Sequence, residues 1–136
     1  MNAGAQSNGG SGDRQVDAVF GDLRRKLAQG RADLCAAYST AARPERLLKR
    51  HAALVDRILR EVWRRQCVPA SLTLVAVGGY GRQSLFPYSD VDVLILLPED
   101  AREVERNSAA ELIGRLWDIG VELGHSVRTI SECLSE

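Results

Sequence analysis

A chain of 136 residues has room for one domain at most, and 45% hydrophobic content is enough for it to bury a real core. Eighteen Lys and Arg balance eighteen Asp and Glu, so no global field of either sign draws nucleic acid or acidic partners to the whole molecule. No apolar run approaches the roughly 20 residues that span a bilayer, no signal-peptide core opens the chain, and three widely spaced cysteines (Cys35, Cys67, Cys133) form neither a zinc nor a disulfide pattern, so they read as reduced thiols in a cytoplasmic protein.

Met1–Gly12 is a Gly/Ser/Asn/Ala tract with no large apolar residue after Met1, and it is predicted to be a disordered tail. From Asp13 to about Tyr38, Val16, Val19/Phe20, Leu23, Leu27, Leu34 and Tyr38 recur at helical spacing, with Gly30 as a candidate break or kink. Pro44 suits the first turn of a second helix, running to about Gln66. Its apolar face is Leu47/Leu48, His51, Val55, Ile58/Leu59 and Val62. The opposite face is rich in arginine. It reads as a solvated helix face in preference to a contact for acidic protein or polyphosphate. Residues 13–68 thus form an N-terminal helical segment.

After Pro69, Ser71–Val77 is short, apolar and β-branched, which predicts a buried strand. A glycine-rich turn follows. Val91–Leu97 is a second buried strand, stopped by Pro98. Glu99 to about Ile119 is predicted helical with Val104, Leu112/Ile113 and Leu116/Trp117 facing inward, closed by Gly120. Val121–Arg128 is expected to be a third strand, with Thr129 or Ser131 capping a last short helix. The fold class is α/β in the broad sense (α+β): a mixed sheet flanked by helices and preceded by two helices.

Chemistry concentrates in Val77–Asp92. Gly78 and Gly79 lack Cβ atoms, so the backbone there can approach a ligand, and exposed N–H groups can cradle phosphate oxygens. Gly81 adds a third permissive position. The turn is neither a P-loop, since no Gly-Lys-Ser/Thr follows, nor the dinucleotide fingerprint, since the last glycine is missing. Asp90 and Asp92 stand two apart where the second strand begins, and period-two geometry sends both side chains to one side of the sheet. Two adjacent carboxylates repel, and a divalent cation removes that penalty. Hard oxygen ligands suit Mg²⁺, with Mn²⁺ as the alternative. A strand, a Gly-Gly turn and Ser-Asp-x-Asp opening a second apolar strand together are far more specific than each part. They set metal-held phosphates beside backbone donors, as nucleotidyl transfer requires.

The run G-G-Y-G-R-Q-S-L-F-P-Y-S-D-V-D-V-L-I-L resembles the signature of the bifunctional uridylyltransferase/uridylyl-removing enzymes that modify the PII nitrogen-regulatory protein. The later run Leu116–Thr129, L-W-D-I-G-V-E-L-G-H-S-V-R-T, and the arginine-rich helix before the first strand are similar too. Glutamine-synthetase adenylyltransferases share the G-G and S-D-x-D elements. The resemblance implies a polymerase-β-like nucleotidyltransferase fold, here partial over residues 69–136. It implies metal-dependent transfer of UMP from UTP to a tyrosine of PII, with no nucleic-acid or membrane partner. By motif position Asp90 and Asp92 are the implied metal ligands and catalytic residues. Gly78, Gly79 and Ser89 line the triphosphate, and Arg82 either neutralises phosphate charge or anchors the loop.

Two departures stand out. Gln83-Ser84 occupies the place where the family usually has Gly-Glu after the arginine. The third carboxylate of the superfamily is expected downstream of G-H-S-V-R-T, as are a phosphohydrolase region and two ligand-sensing modules. The expectation is therefore an N-terminal fragment with little activity. The alternatives are a non-catalytic nucleotide- or protein-binding remnant, or a transferase with another acceptor. Asp118 and Glu122 are the acidic residues nearest the third strand, but neither is expected to replace the third carboxylate. His125 reads as structural in preference to catalytic, His51 as packing, and Trp63 and Trp117 as core aromatics.

Overall fold

The computed structural model describes residues 10–40 and 43–135. Two long helices come first, α1 (Gly10–Tyr38) and α2 (Pro44–Arg65). They are followed by β1 (Thr73–Ala76), a one-turn helix α3 (Gly78–Gly81), β2 (Val91–Leu97), α4 (Glu103–Ile119), β3 (Leu123–Thr129) and a short α5 (Ile130–Leu134). Residues 1–9 of the predicted tail lie outside the described residues. Gly10–Gly12, which the composition placed in that tail, begin α1.

Gly30 does not interrupt α1. A Cβ built there would fall 2.7 Å from Leu54 Cδ2, so the glycine lets α2 lie close against α1. The helix penalty of a glycine, about 0.5–1 kcal/mol relative to alanine, is offset by that approach. The apolar face of α2 is buried as its spacing predicts, from Leu47 through His51 to Val62.

The sheet is three-stranded and mixed, in the order β1-β2-β3. β1 runs antiparallel to β2, and β2 runs parallel to β3 through the α4 crossover. Val91, Val93, Ile95 and Leu97 of β2 are buried, whereas Asp92, Leu94 and Leu96 on the other face are only partly covered. The helices therefore pack on one face of the sheet, where residues of α1, α2 and α4 join these four in a single core. The opposite face carries Asp92.

Three expectations shift. β1 is not a buried strand: it lies at the sheet edge, and Thr73 and Ala76 are exposed. An apolar run does not distinguish a central strand from an edge strand, because both pack one face. The inward stripe of α4 is Ala109, Leu112, Leu116 and Ile119. Val104 is 69% exposed and Trp117 48% exposed, against expectation. At roughly 100° per residue, Trp117 lies about a quarter-turn from Leu116 and leaves the stripe. Trp63, by contrast, packs partly buried against the core.

Two caps behave as the sequence suggests. Gly120 ends α4 with φ of 108°, and its N–H bonds to the Leu116 and Trp117 carbonyls. Thr129 Oγ1 accepts from the Glu132 N–H at 3.2 Å, which starts α5. Among the described residues no helix is long and apolar enough to cross a membrane. All three cysteines are free thiols.

Candidate active site

The site is assembled where β1 hands over to α3. Val77 N–H donates to the Asp92 carbonyl at 3.0 Å, which fastens the end of β1 to the start of β2. The chain then turns at Gly78, whose φ of +58° is reached by a residue without Cβ at little strain. The turn is closed by Gly81 N–H to the Val77 carbonyl at 2.9 Å and by Ser84 N–H to the Gly79 carbonyl at 2.9 Å.

The Asp92 carboxylate sits between two glycines. A Cβ on Gly78 would come within 2.8 Å of Asp92 Oδ2, and one on Gly124 within 2.3 Å of Asp92 Oδ1. Gly124 is the register partner of Asp92 on β3. The Cβ of Asp90 lies 4.0 Å from that same point, so Asp90 and Asp92 gather on one side of the sheet, over Gly124. Neither carboxylate forms an ion pair with Lys or Arg among the described residues. Two acidic oxygen donors with open backbone around them and no cationic partner suit a hard divalent cation. No third His, Cys, Asp or Glu converges with them among the described residues.

Other predicted residues are placed differently. Gly79 faces the Ser84 carbonyl, where a Cβ would be 3.1 Å away, so its lack of a side chain serves the turn itself. The Arg82 side chain is exposed and makes no hydrogen bond or ion pair among the described residues, while its backbone N–H donates to the Gly78 carbonyl at 3.2 Å. Ser89 is exposed beside Asp90. It borders a cavity of about 290 Å³ together with Arg31, His51, Tyr88 and Glu122. Asp118 lies at the end of α4, where its carbonyl accepts from the Arg24 guanidinium. His125 pairs with Val93 and so belongs to the sheet face opposite Asp92.

Two side chains of α2 hold the loop that carries the site. Tyr80 is buried, and its hydroxyl donates to the Asp56 carboxylate. Burial and the Asp56 charge push the Tyr80 hydroxyl well above its usual pKa, so it stays a donor. His51, also buried, lies 3.1 Å from the Leu85 carbonyl through Nδ1, and its Nε2 is 3.2 Å from Arg31 Nε. Because Arg31 can only donate, Nε2 accepts and Nδ1 carries the proton, which makes His51 neutral. Arg31 also donates to the Gly120 carbonyl at 2.9 Å. His51 is thus packed, as its place on the apolar face implies, but it is also a polar link between α1, α2 and the loop.

Burial holds the His51 pKa below its ordinary value, the Leu85 carbonyl opposes this, and the Arg31 charge adds to the lowering. The unfolded chain therefore binds this proton more readily than the folded one. The stabilisation is present in full above the unfolded value of about 6.5 and is lost as pH falls below it, through the lower folded value. The thermal midpoint should drop between pH 7.5 and pH 5.5, a window in which ordinary carboxylates remain ionised. His51→Gln should flatten that part of the profile, and an unchanged slope in the variant would assign the effect elsewhere.

Gly124, to which the sequence reading gives no role, lies within the L-G-H-S-V-R-T run, where a glycine inside a predicted strand signals a close approach.

The nucleotidyltransferase domain family matches residues 55–133. Among curated proteins, the chain is similar to the bifunctional uridylyltransferase/uridylyl-removing enzyme of Thiobacillus denitrificans, 51% identical over 117 residues covering 86% of this chain and 14% of that protein. It is similar to the enzyme of the same name in Nitrosospira multiformis, 48% identical over 120 residues, 84% of this chain and 14% of that protein. The corresponding protein of Aromatoleum aromaticum is 42% identical over 122 residues, 90% of this chain and 14% of its own length. The chain thus spans about 14% of the length of these relatives. No solved structure matches it. With strand, glycine turn and paired aspartates in the matched segment, the chain belongs to the nucleotidyltransferase domain family.

Proposed function

We propose that Asp90 and Asp92 hold a divalent metal, Mg²⁺ or Mn²⁺, through which the chain binds UTP for transfer of UMP to a tyrosine hydroxyl of the PII protein in the cytoplasm. The observation that carries this reading is the placement of the Asp92 carboxylate between Gly78 and Gly124, with Asp90 beside it. Family membership supports the reaction class, and the names of the similar proteins support UTP as donor.

When bound, the metal would neutralise the phosphates and the charge that develops as pyrophosphate leaves. The residues of the chain do the positioning. Gly78 leaves room at the carboxylates, Arg82 offers an exposed cation on the same turn for phosphate, and Ser89 lies beside Asp90 in the chain. Tyr80 and His51 keep the turn in place from behind.

Turnover also requires a base within reach of the acceptor hydroxyl and a third acidic ligand. Among the described residues no third His, Cys, Asp or Glu converges on the pair. The chain by itself is therefore expected to bind UTP with Mg²⁺ and to transfer little UMP. Incubation with PII, UTP and Mg²⁺, followed by mass spectrometry of PII, tests this. Efficient addition of UMP would overturn the expectation of little transfer, and failure to bind UTP with Mg²⁺ would overturn the site.

A further inference from the structure

Six of the seven Lys and Arg residues of α2 fall into two groups, and exposed Arg57, which has no ion pair among the described residues, lies between them. Toward its C-terminus, Arg60 lies 3.8 Å from Asp56, and Arg64 and Arg65 lie 2.6 Å and 3.0 Å from Glu61. Nearer its N-terminus, Arg46, Lys49 and Arg50 are exposed and meet no carboxylate within salt-bridge distance among the described residues. These three line one concavity of about 520 Å³ between α2 and the turn after β1. Positions 46, 49 and 50 are related by three and four residues, so they share one face of the helix. Asp56, the carboxylate in the wall of the concavity, is engaged by the Tyr80 hydroxyl and Arg60.

Like charges on one helix face repel and mildly destabilise it. A multiply charged anion would reverse that sign, and two guanidinium forks with an ammonium group match phosphoryl oxygens. The ligand must present several negative charges within about one turn of helix, roughly 5–6 Å. A di- or triphosphate does so and a single carboxylate does not. Ala76, which also lines the concavity, pairs with Val93 on the sheet face away from Asp92. The concavity and the aspartate pair therefore lie on opposite sides of the glycine turn.

We propose that this concavity binds a small polyphosphate-bearing molecule without a divalent metal, at a site separate from the aspartate pair. Titration of the 136-residue chain with inorganic tripolyphosphate in EDTA, by calorimetry at low salt, tests it. One ligand should bind per chain. Lys49→Glu and, independently, Arg46→Gln should weaken binding at least tenfold, whereas Asp92→Asn should leave it unchanged. Arg57→Glu, which makes the same charge change on the same helix outside the concavity, should change it less than twofold. The proposal is overturned by absence of binding, by equal loss in Arg57→Glu, by loss in Asp92→Asn, or by equally tight binding of hexaglutamate. Circular dichroism of each variant establishes that the helix is intact, since all the α2 positions changed are exposed.

Discussion

Gly124→Ala is expected to weaken metal-dependent UTP binding strongly while leaving the fold nearly intact. The new Cβ would stand 2.3 Å from Asp92 Oδ1, closer than any real carbon–oxygen contact, so something must move. The obstacle is the end of a short side chain rather than backbone. The easiest relief is rotation of the Asp92 carboxylate out of its slot, away from Asp90. Binding of UTP with Mg²⁺ should then fall by at least about tenfold, in the range seen when groups that orient metal ligands are altered. The thermal midpoint in EDTA should move by only a few degrees. A variant that keeps its affinity would show that the slot between Gly78 and Gly124 does not hold the carboxylate in its working position. Introduced on top of Asp92→Asn, the same alanine should add little to the binding loss, because both changes act on one group.

Asp92→Asn removes a charged ligand and should weaken UTP binding with Mg²⁺ by at least about a hundredfold, beyond what changes to supporting groups produce. Its effect on stability should have the opposite sign. Asp90 and Asp92 gather over Gly124 with no Lys or Arg partner among the described residues, so in EDTA they repel each other. Neutralising one relieves that repulsion, and the midpoint should be unchanged or higher than that of the parent chain. Adding Mg²⁺ and UTP should raise the midpoint of the parent and not of the variant. Equal stabilisation of both by ligand would move the metal site away from Asp92.

Much of this was legible because it depends on local spacing. Val91–Leu97 forms β2 with the bounds its apolar run predicts, and every predicted apolar position of α2 is buried. The same-side placement of Asp90 and Asp92 follows from period-two geometry alone. What stayed hidden depends on neighbours distant in the chain. Gly124 matters only because parallel pairing sets it beside Asp92. β1 is an edge strand because nothing among the described residues pairs with its far side. Trp117 reads as core by residue type, yet the stripe of α4 is fixed by what α1, α2 and the sheet present to it. The double engagement of His51 required Arg31 and Leu85, 20 and 34 positions away, to meet on one ring.

The grip of α2 on the segment from Tyr80 to Leu85 bears on motion. One helix holds both ends of that segment, by the Tyr80 hydroxyl on Asp56 and by His51 on the Leu85 carbonyl. Those two contacts couple the glycine turn to the helix. Amide hydrogens such as those of Gly81 and Ser84 are therefore expected to exchange with the slower amides of α2, as part of its cooperative unit, and faster exchange would show a turn that opens by itself.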